Sequence, residues 1–260
     1  MVTTRATSRA VSAGPESASP SPPPDSKPPS TPSTSRKRLT KSSANTASKK
    51  RRFNVERAPT WHHAPSTTTL LWLAVSVPLV TWDTVYVLGR PHTMPGGPWH
   101  WPLWVPYELY GQVDHVYGWK AWNSNNGFTG AQSALNVVEC IMYLVYLWMI
   151  WTRADAKTVD GVAKRTISGR NGALAALVGF SAAVMTVSKT ALYGAHEYYS
   201  GFDNISHNSL FDIFYLWVLP NGFWIILPTY MVLAFGNNIL DGLVMASGQA
   251  PQRKSSVTTL

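Results

Sequence analysis

The chain has 260 residues, 45% hydrophobic and 13% charged, with a mean hydropathy of −0.06 and a formal charge of +9, averages that would suit a soluble basic protein. The charge is confined, however: residues 1–60 carry twelve Lys/Arg against three acids, the whole of the +9, while the other two hundred residues hold ten of each sign. A single cysteine, Cys140, excludes an internal disulfide and a cysteine-rich metal site, and neither a Gly-rich phosphate loop nor an HExxH pattern is present.

Residues 1–60 read as a disordered, basic tail. Ser, Thr, Pro, Ala and Lys/Arg dominate it, with SPSPPPDSKPPSTPSTS at its centre, and hardly any large apolar side chain precedes Phe53. Such a segment buries too little to offset its chain entropy. No apolar run follows Arg5 or Arg9, so it is not a signal peptide. RKRLTK…KKRR over residues 36–52 fits a bipartite nuclear-localisation pattern, but the favoured reading is a cytosolic anchor against anionic lipid.

Four stretches are long and apolar enough to cross a bilayer: residues 69–89, 132–152, 172–194 and 210–235. None shows the wide polar face that a soluble helix would need. The expected fold is therefore an all-α, four-transmembrane-helix bundle over residues 61–242, followed by a short tail at 243–260. The third span is rich in Gly and Ala, which suits close helix packing. Between spans 1 and 2, residues 90–131 are dense in Trp, Tyr, Gly and Pro and read as a lid lying on the membrane interface. Asn204-Ile205-Ser206 is a glycosylation sequon close to span 4.

Ionisable groups at bilayer depth are costly and usually functional. In antiparallel spans Asp83, Glu139, Lys189 and Asn221 come to similar heights, towards the lumen, with His196 and Glu197 at the end of span 3. Asn136, Glu139, Tyr143 and Tyr146 share a face of span 2, and Trp217, Asn221 and Trp224 share one of span 4. This pattern predicts a lined cavity. Asp83 and Lys189 can also be read as a buried ion pair that fixes the bundle. Asp212, near a helix start, is favourable there for electrostatic reasons alone.

The last span reads N-G-F-W-I-I-L-P from Asn221 to Pro228, and L-Y-x-x-x-E-x-x-x-G-F runs from Leu192 to Phe202. With the acid of span 2 and the L-W-x-x-Y of Leu103, Trp104 and Tyr107, the chain over residues 69–240 resembles the emopamil-binding protein family. That family belongs to the EXPERA group of four-helix membrane domains, whose best-known member is the sterol Δ8-to-Δ7 isomerase of the endoplasmic reticulum. The resemblance implies Glu139 as a proton-transfer residue, with Asn221 and Trp224 against a reacting carbocation. In the first span the isomerase has a His and, four residues on, a Glu; this chain has Pro78 and Trp82, with Asp83 one step away. Relatives similar to the sigma-2 receptor carry an Asp in that region.

Shifting a ring double bond needs an acid that protonates one carbon and a base that deprotonates its neighbour. A carboxyl kept from water can hold its proton for the first task. An indole face is worth about 2 kcal/mol to the cation between the two steps. The catalytic set expected is Glu139 as acid, Asp83 as its partner carboxylate, Trp224 as cation stabiliser and Asn221 as the group that tunes Glu139. Tyr143, Trp217, Tyr193, Tyr107 and Glu197 are the expected substrate-binding residues. The ligand is a sterol or related polycyclic terpenoid; the other partners are membrane lipids and, as an open assembly, a second copy in a homodimer. No cofactor, metal or nucleic acid is expected. A non-catalytic EXPERA protein that binds sterol or stabilises a partner is the alternative. The location implied is the endoplasmic reticulum membrane, or the nuclear envelope continuous with it.

Orientation follows from the Lys/Arg distribution. The basic tail, Arg153, Lys157, Lys164, Arg165 and Arg170 between spans 2 and 3, and Arg253 and Lys254 place nineteen Lys/Arg on one side; Arg90 and Lys120 stand on the other. Both termini are thus assigned to the cytosol. Reporter fusions after residue 60, near residue 125, near residue 160 and at the C-terminus should read cytosol, lumen, cytosol, cytosol. A lumenal signal at residue 160 overturns the assignment.

Overall fold

The computed structural model describes residues 60–159 and 161–248. The tail at residues 1–59 and the end at 249–260, to which disorder, targeting and cytosolic charge were ascribed above, lie outside the described residues. The described chain is mostly helical, in the order β1 (His62–His63), α1 (Thr67–Leu88), α2 (Pro106–Val113), α3 (Trp119–Asn123), α4 (Phe128–Arg153), β2 (Asp155–Val159), β3 (Val162–Ser168), α5 (Gly169–Tyr199), α6 (Leu210–Asp212), a π-helical stretch Ile213–Val218 and α7 (Leu219–Ala246). The last three run on as one helix, Leu210–Ala246. Four helices are long and apolar enough to cross a membrane: Thr67–Leu88, Phe128–Arg153, Gly169–Tyr199 and Leu210–Ala246. Three of them extend beyond the apolar stretch that announced them, because backbone hydrogen bonding carries helices past their apolar limits, whereas α1 starts two residues early and stops at Leu88, one short of the expected end.

Helix α5 is the central packing element. It lies most extensively on α7 and then on α4; α4 in turn packs on α1, whereas α1 and α7 touch only sparsely. Small side chains explain the close approach. Ala175, Ala176, Ala182 and Ala183 are fully buried. Between them, a Cβ on Gly179 would stand 2.8 Å from Phe235 Cζ and 3.2 Å from Tyr146 Cδ2. The core beneath is built from Trp72, Leu73 and Val77 of α1, Tyr143, Tyr146 and Met149 of α4, and Met231 and Phe235 of α7. Outward faces carry large apolar side chains such as Leu71, Trp151, Leu210 and Ile226, each more than three-fifths exposed.

Two features depart from an all-α bundle. Strands β1, β3 and β2 form a small antiparallel sheet in that order, pairing His63 with Ile167 and Lys157 with Lys164. Its signal stands in the sequence: Asp160-Gly161 between two valines is a two-residue hairpin signature, and Gly161 has φ +77°. The sheet closes the end of the bundle through His63, whose Nε2 lies 3.0 Å from Tyr146 Oη and whose Nδ1 lies 2.9 Å from Asn238 Oδ1. Burial lowers the His63 pKa, so the ring serves as a neutral bridge.

The second feature is the lid, residues 89–127, which folds into two short helices, α2 and α3, and tight turns. It is tied to the turn after α5: Asn208 Nδ2 donates to the Val113 carbonyl at 2.7 Å, and Lys120 pairs with Asp203 at 2.7 Å. Trp99, Trp101 and Leu103 remain exposed along its rim. Asn204 of the sequon is buried and donates to Glu197, an unsuitable posture for a glycan.

Gly179→Val should force the Phe235 ring and α7 away from α5. Overpacking of this kind costs about 1–3 kcal/mol, read as a lower melting temperature of the detergent-solubilised protein. Gly179→Ala should cost less, and an unchanged Gly179→Val protein refutes the account of the α5–α7 contact.

Candidate functional site

Above the core, at the lid end, the four long helices and α2 enclose a cavity of about 510 Å³. Helix α1 contributes Leu79, Val80, Trp82 and Asp83, and α2 contributes Pro106, Tyr107, Leu109 and Tyr110. Gln132 and Asn136 come from α4, Lys189 and Thr190 from α5, and Leu216, Pro220, Asn221 and Trp224 from the final helix. One side is thus apolar and aromatic, the other amide, hydroxyl and charge. The sparse contact between α1 and α7 makes the seam between them the thin part of the wall.

Asp83 sits on the α1 wall, partly buried. Tyr107 donates to its Oδ1 at 2.7 Å. Tyr107 is itself held by stacking on Tyr86, centroids 3.8 Å apart, and burial with the nearby carboxylate raises its pKa far above the ordinary phenol range. It therefore remains a donor.

The expected Asp83–Lys189 pair is not formed. Lys189 turns to α4, where its Nζ stands 2.9 Å from Glu139 Oε2 and donates to Asn136 Oδ1. The reason is helix order: α5 packs directly on α4, so Asn136 and Glu139, one turn apart, are the groups at its reach. Glu139 is 2% exposed and stands behind Lys189, outside the residues that line the cavity. Glu139, the expected acid, therefore stands against Lys189 on the α4–α5 contact and not on the cavity wall. Asn221, expected to tune Glu139, lines the cavity and donates through Nδ2 to the Trp217 carbonyl at 2.8 Å. Trp224 lines the cavity and meets Trp72 edge-on, centroids 5.0 Å apart.

The expected substrate-binding residues divide. Tyr107 is on the wall. Tyr143 is buried below it with its hydroxyl 2.9 Å from Thr186 Oγ1. Tyr193, Trp217 and Glu197 belong to a second cluster around Asp114, a fully buried lid residue that sequence reasoning did not single out. Asp114 accepts from the Val116 amide at 3.1 Å, from Trp217 Nε1 at 3.2 Å and from the Tyr193 hydroxyl. Burial pushes its carboxyl up to about 7, and Glu197 nearby adds to the rise against the donors that lower it. Trp217 reaches it from the π-helical stretch, a local register change of the kind often found at functional sites. Asp114 thus ties the lid to α5 and to the final helix. Its one sequence signal was an acid set in a run of aromatic and apolar residues.

Among the described residues no group of three or more His, Cys, Asp or Glu is placed to hold a metal ion. No family model, curated protein or solved structure matches the chain.

Removing one member of a buried ion pair strands the other and costs about 3–5 kcal/mol. Lys189→Met should therefore lower the melting temperature sharply, and Lys189→Met/Glu139→Gln should recover most of the loss. A single variant as stable as the parent would show that the pair does not hold α4 against α5.

Proposed function

We propose that this chain is a multi-pass membrane protein of the emopamil-binding type, and that its cavity shifts a ring double bond in a sterol or related polycyclic terpenoid. The reading rests on one observation: a lone carboxyl, Asp83, lines a cavity of flat aromatic and aliphatic surfaces whose far side carries amide, hydroxyl and ammonium groups. The outward apolar faces suit lipid contact, and the membrane proposed is that of the endoplasmic reticulum, with both termini cytosolic.

The chemistry asks little more than this wall offers. Moving a double bond by one place transfers a proton between two carbons on the same ring face, about as far apart as the two oxygens of a carboxyl. One carboxyl can deliver with one oxygen and collect with the other. Tyr107 donates to Asp83 Oδ1, which fixes the group on the wall. The indoles of Trp82 and Trp224 give the ring system flat surfaces and can face positive charge. The water-poor walls protect a reactive intermediate from hydration.

A second reading, non-catalytic binding of a sterol, is favoured by the pairing of Glu139 with Lys189, which withdraws the second carboxyl of an acid–base couple.

A deletion strain should accumulate a double-bond isomer of a membrane sterol or terpenoid. Asp83→Asn, expressed in its place, should leave the same isomer accumulated, with turnover down on the order of a hundredfold or more and a melting temperature near the parent's. An unchanged lipid profile in the deletion strain, with ligand binding by the purified protein intact, would replace this reading by the binding one.

A further inference from the structure

Lys189 sets a positive charge on a wall where a pure hydrocarbon gives it nothing to bond. Its side chain is 7% exposed, and its protein partners among the described residues are Asn136 and Glu139, both on α4. An ammonium carries three N–H donors, so one is left for the cavity that Lys189 lines. Asn136 lines the same wall; with its Oδ1 taken by Lys189, its Nδ2 protons have no partner among the described residues. Gln132 lies one helical turn before it. The α4–α5 side of the cavity is therefore a patch of donors, while α1 presents the carboxyl acceptor Asp83.

That polarity has the wrong sign for a carbocation and the right sign for negative charge on oxygen. Resting on the isomerase reading, we propose that the substrate is a polycyclic lipid bearing a ring ketone next to its double bond, a β,γ-unsaturated oxo-steroid or oxo-terpenoid. Lys189 and Asn136 hold the ketone oxygen, and Asp83 carries the proton that converts this ketone to its conjugated isomer.

The step balances within substrate and protein. The Asp83 carboxylate takes a proton from the carbon between the C=O and C=C groups. The C–H electron pair becomes a new C=C bond, and the carbonyl π pair moves onto oxygen, giving a dienolate held by Lys189 Nζ and Asn136 Nδ2. Protonated Asp83 then returns the proton to the far carbon of the original double bond. The oxygen pair re-forms C=O, the remaining C=C is conjugated with it, and the carboxylate is regenerated. Abstraction beside a carbonyl also needs only one carboxylate, whereas protonating an isolated alkene demands a strong acid that Glu139, paired with Lys189, is not placed to be. Glu139 serves as the counter-ion that keeps Lys189 charged in a dry site.

The test uses the full-length protein in lipid nanodiscs with two probes, a 3-oxo-5-ene steroid and a 3-hydroxy-8-ene sterol. The oxo probe should gain the ultraviolet absorption of a conjugated enone faster than in empty nanodiscs. Asp83→Asn should slow this on the order of a hundredfold or more. Lys189→Met/Glu139→Gln, which removes both charges together, should slow it about a hundredfold, and Lys189→Arg should retain part of the rate. Isomerisation of the sterol with the oxo probe untouched overturns the ketone proposal and leaves the isomerase reading standing. Wild-type conversion of the oxo probe by a folded double variant also overturns it. If neither probe binds or reacts, the isomerase reading itself falls, and the proposal with it. Should the double variant fail to fold, a steroid with a naphthol terminal ring reads the wall in the unaltered protein: a bound naphtholate spectrum supports the proposal, and a bound neutral naphthol refutes it.

Discussion

The ion pair between Lys189 and Glu139 is the constraint on which the rest of this bundle turns. Two opposite charges are taken out of water where their mutual attraction barely repays desolvation, so the pair needs close geometry and additional hydrogen-bond partners. Asn136 supplies one, and the register of α5 on α4 is thereby fixed at a single rotation and height. Slipping α5 by one residue would carry Lys189 off the Asn136–Glu139 face and strand both charges. Fixing that register also fixes which side of α5 meets α7, because Gly179, less than three turns earlier, has to meet the Phe235 ring.

From this follows the division of the molecule into a filled half and a hollow half. Below the pair, alanines and Gly179 let α7 come close, and Tyr143, Tyr146, Met231 and Phe235 fill the space between the helices. Above it the inward residues of the final helix are Leu216, Pro220, Asn221 and Trp224, and no Gly/Ala seam draws that helix in. The lid completes the enclosure from outside. It is held by Asp114, whose two oxygens satisfy a backbone amide, an indole and a phenol from three different elements. Burying a carboxyl without a cation is costly, and three donors converging on it are what make that placement tolerable.

The spans were legible because twenty apolar residues in a row have few other uses, and the shared level of Asp83, Lys189 and Asn221 followed from antiparallel order alone. Choosing partners was not legible at that level. Charge sign favoured Asp83 for Lys189, but sign carries no information about which helices are neighbours, and adjacency gave the lysine to Glu139. The lid escaped for a related reason: aromatic residues at an interface and aromatic residues in a stacked core have the same composition, and only the fold shows Tyr86, Tyr107 and Tyr117 packed on one another. The hairpin at residues 155–168 was readable from its Asp-Gly turn and β-branched flanks, a signal that a count of Lys and Arg passes over.

The two carboxyls inside the long apolar helices end in unlike environments, and that asymmetry is the strongest chemical statement the site makes. Glu139 has a cation at 2.9 Å, stands behind the wall, and has its charge answered before any ligand arrives. Asp83 accepts from the Tyr107 phenol and lines the cavity, with Tyr117 on the same wall. In the proposed reading the proton-handling role goes to Asp83, the carboxyl that lines the cavity. Glu139 acts on the cavity only through Lys189, which it holds on the wall opposite Asp83.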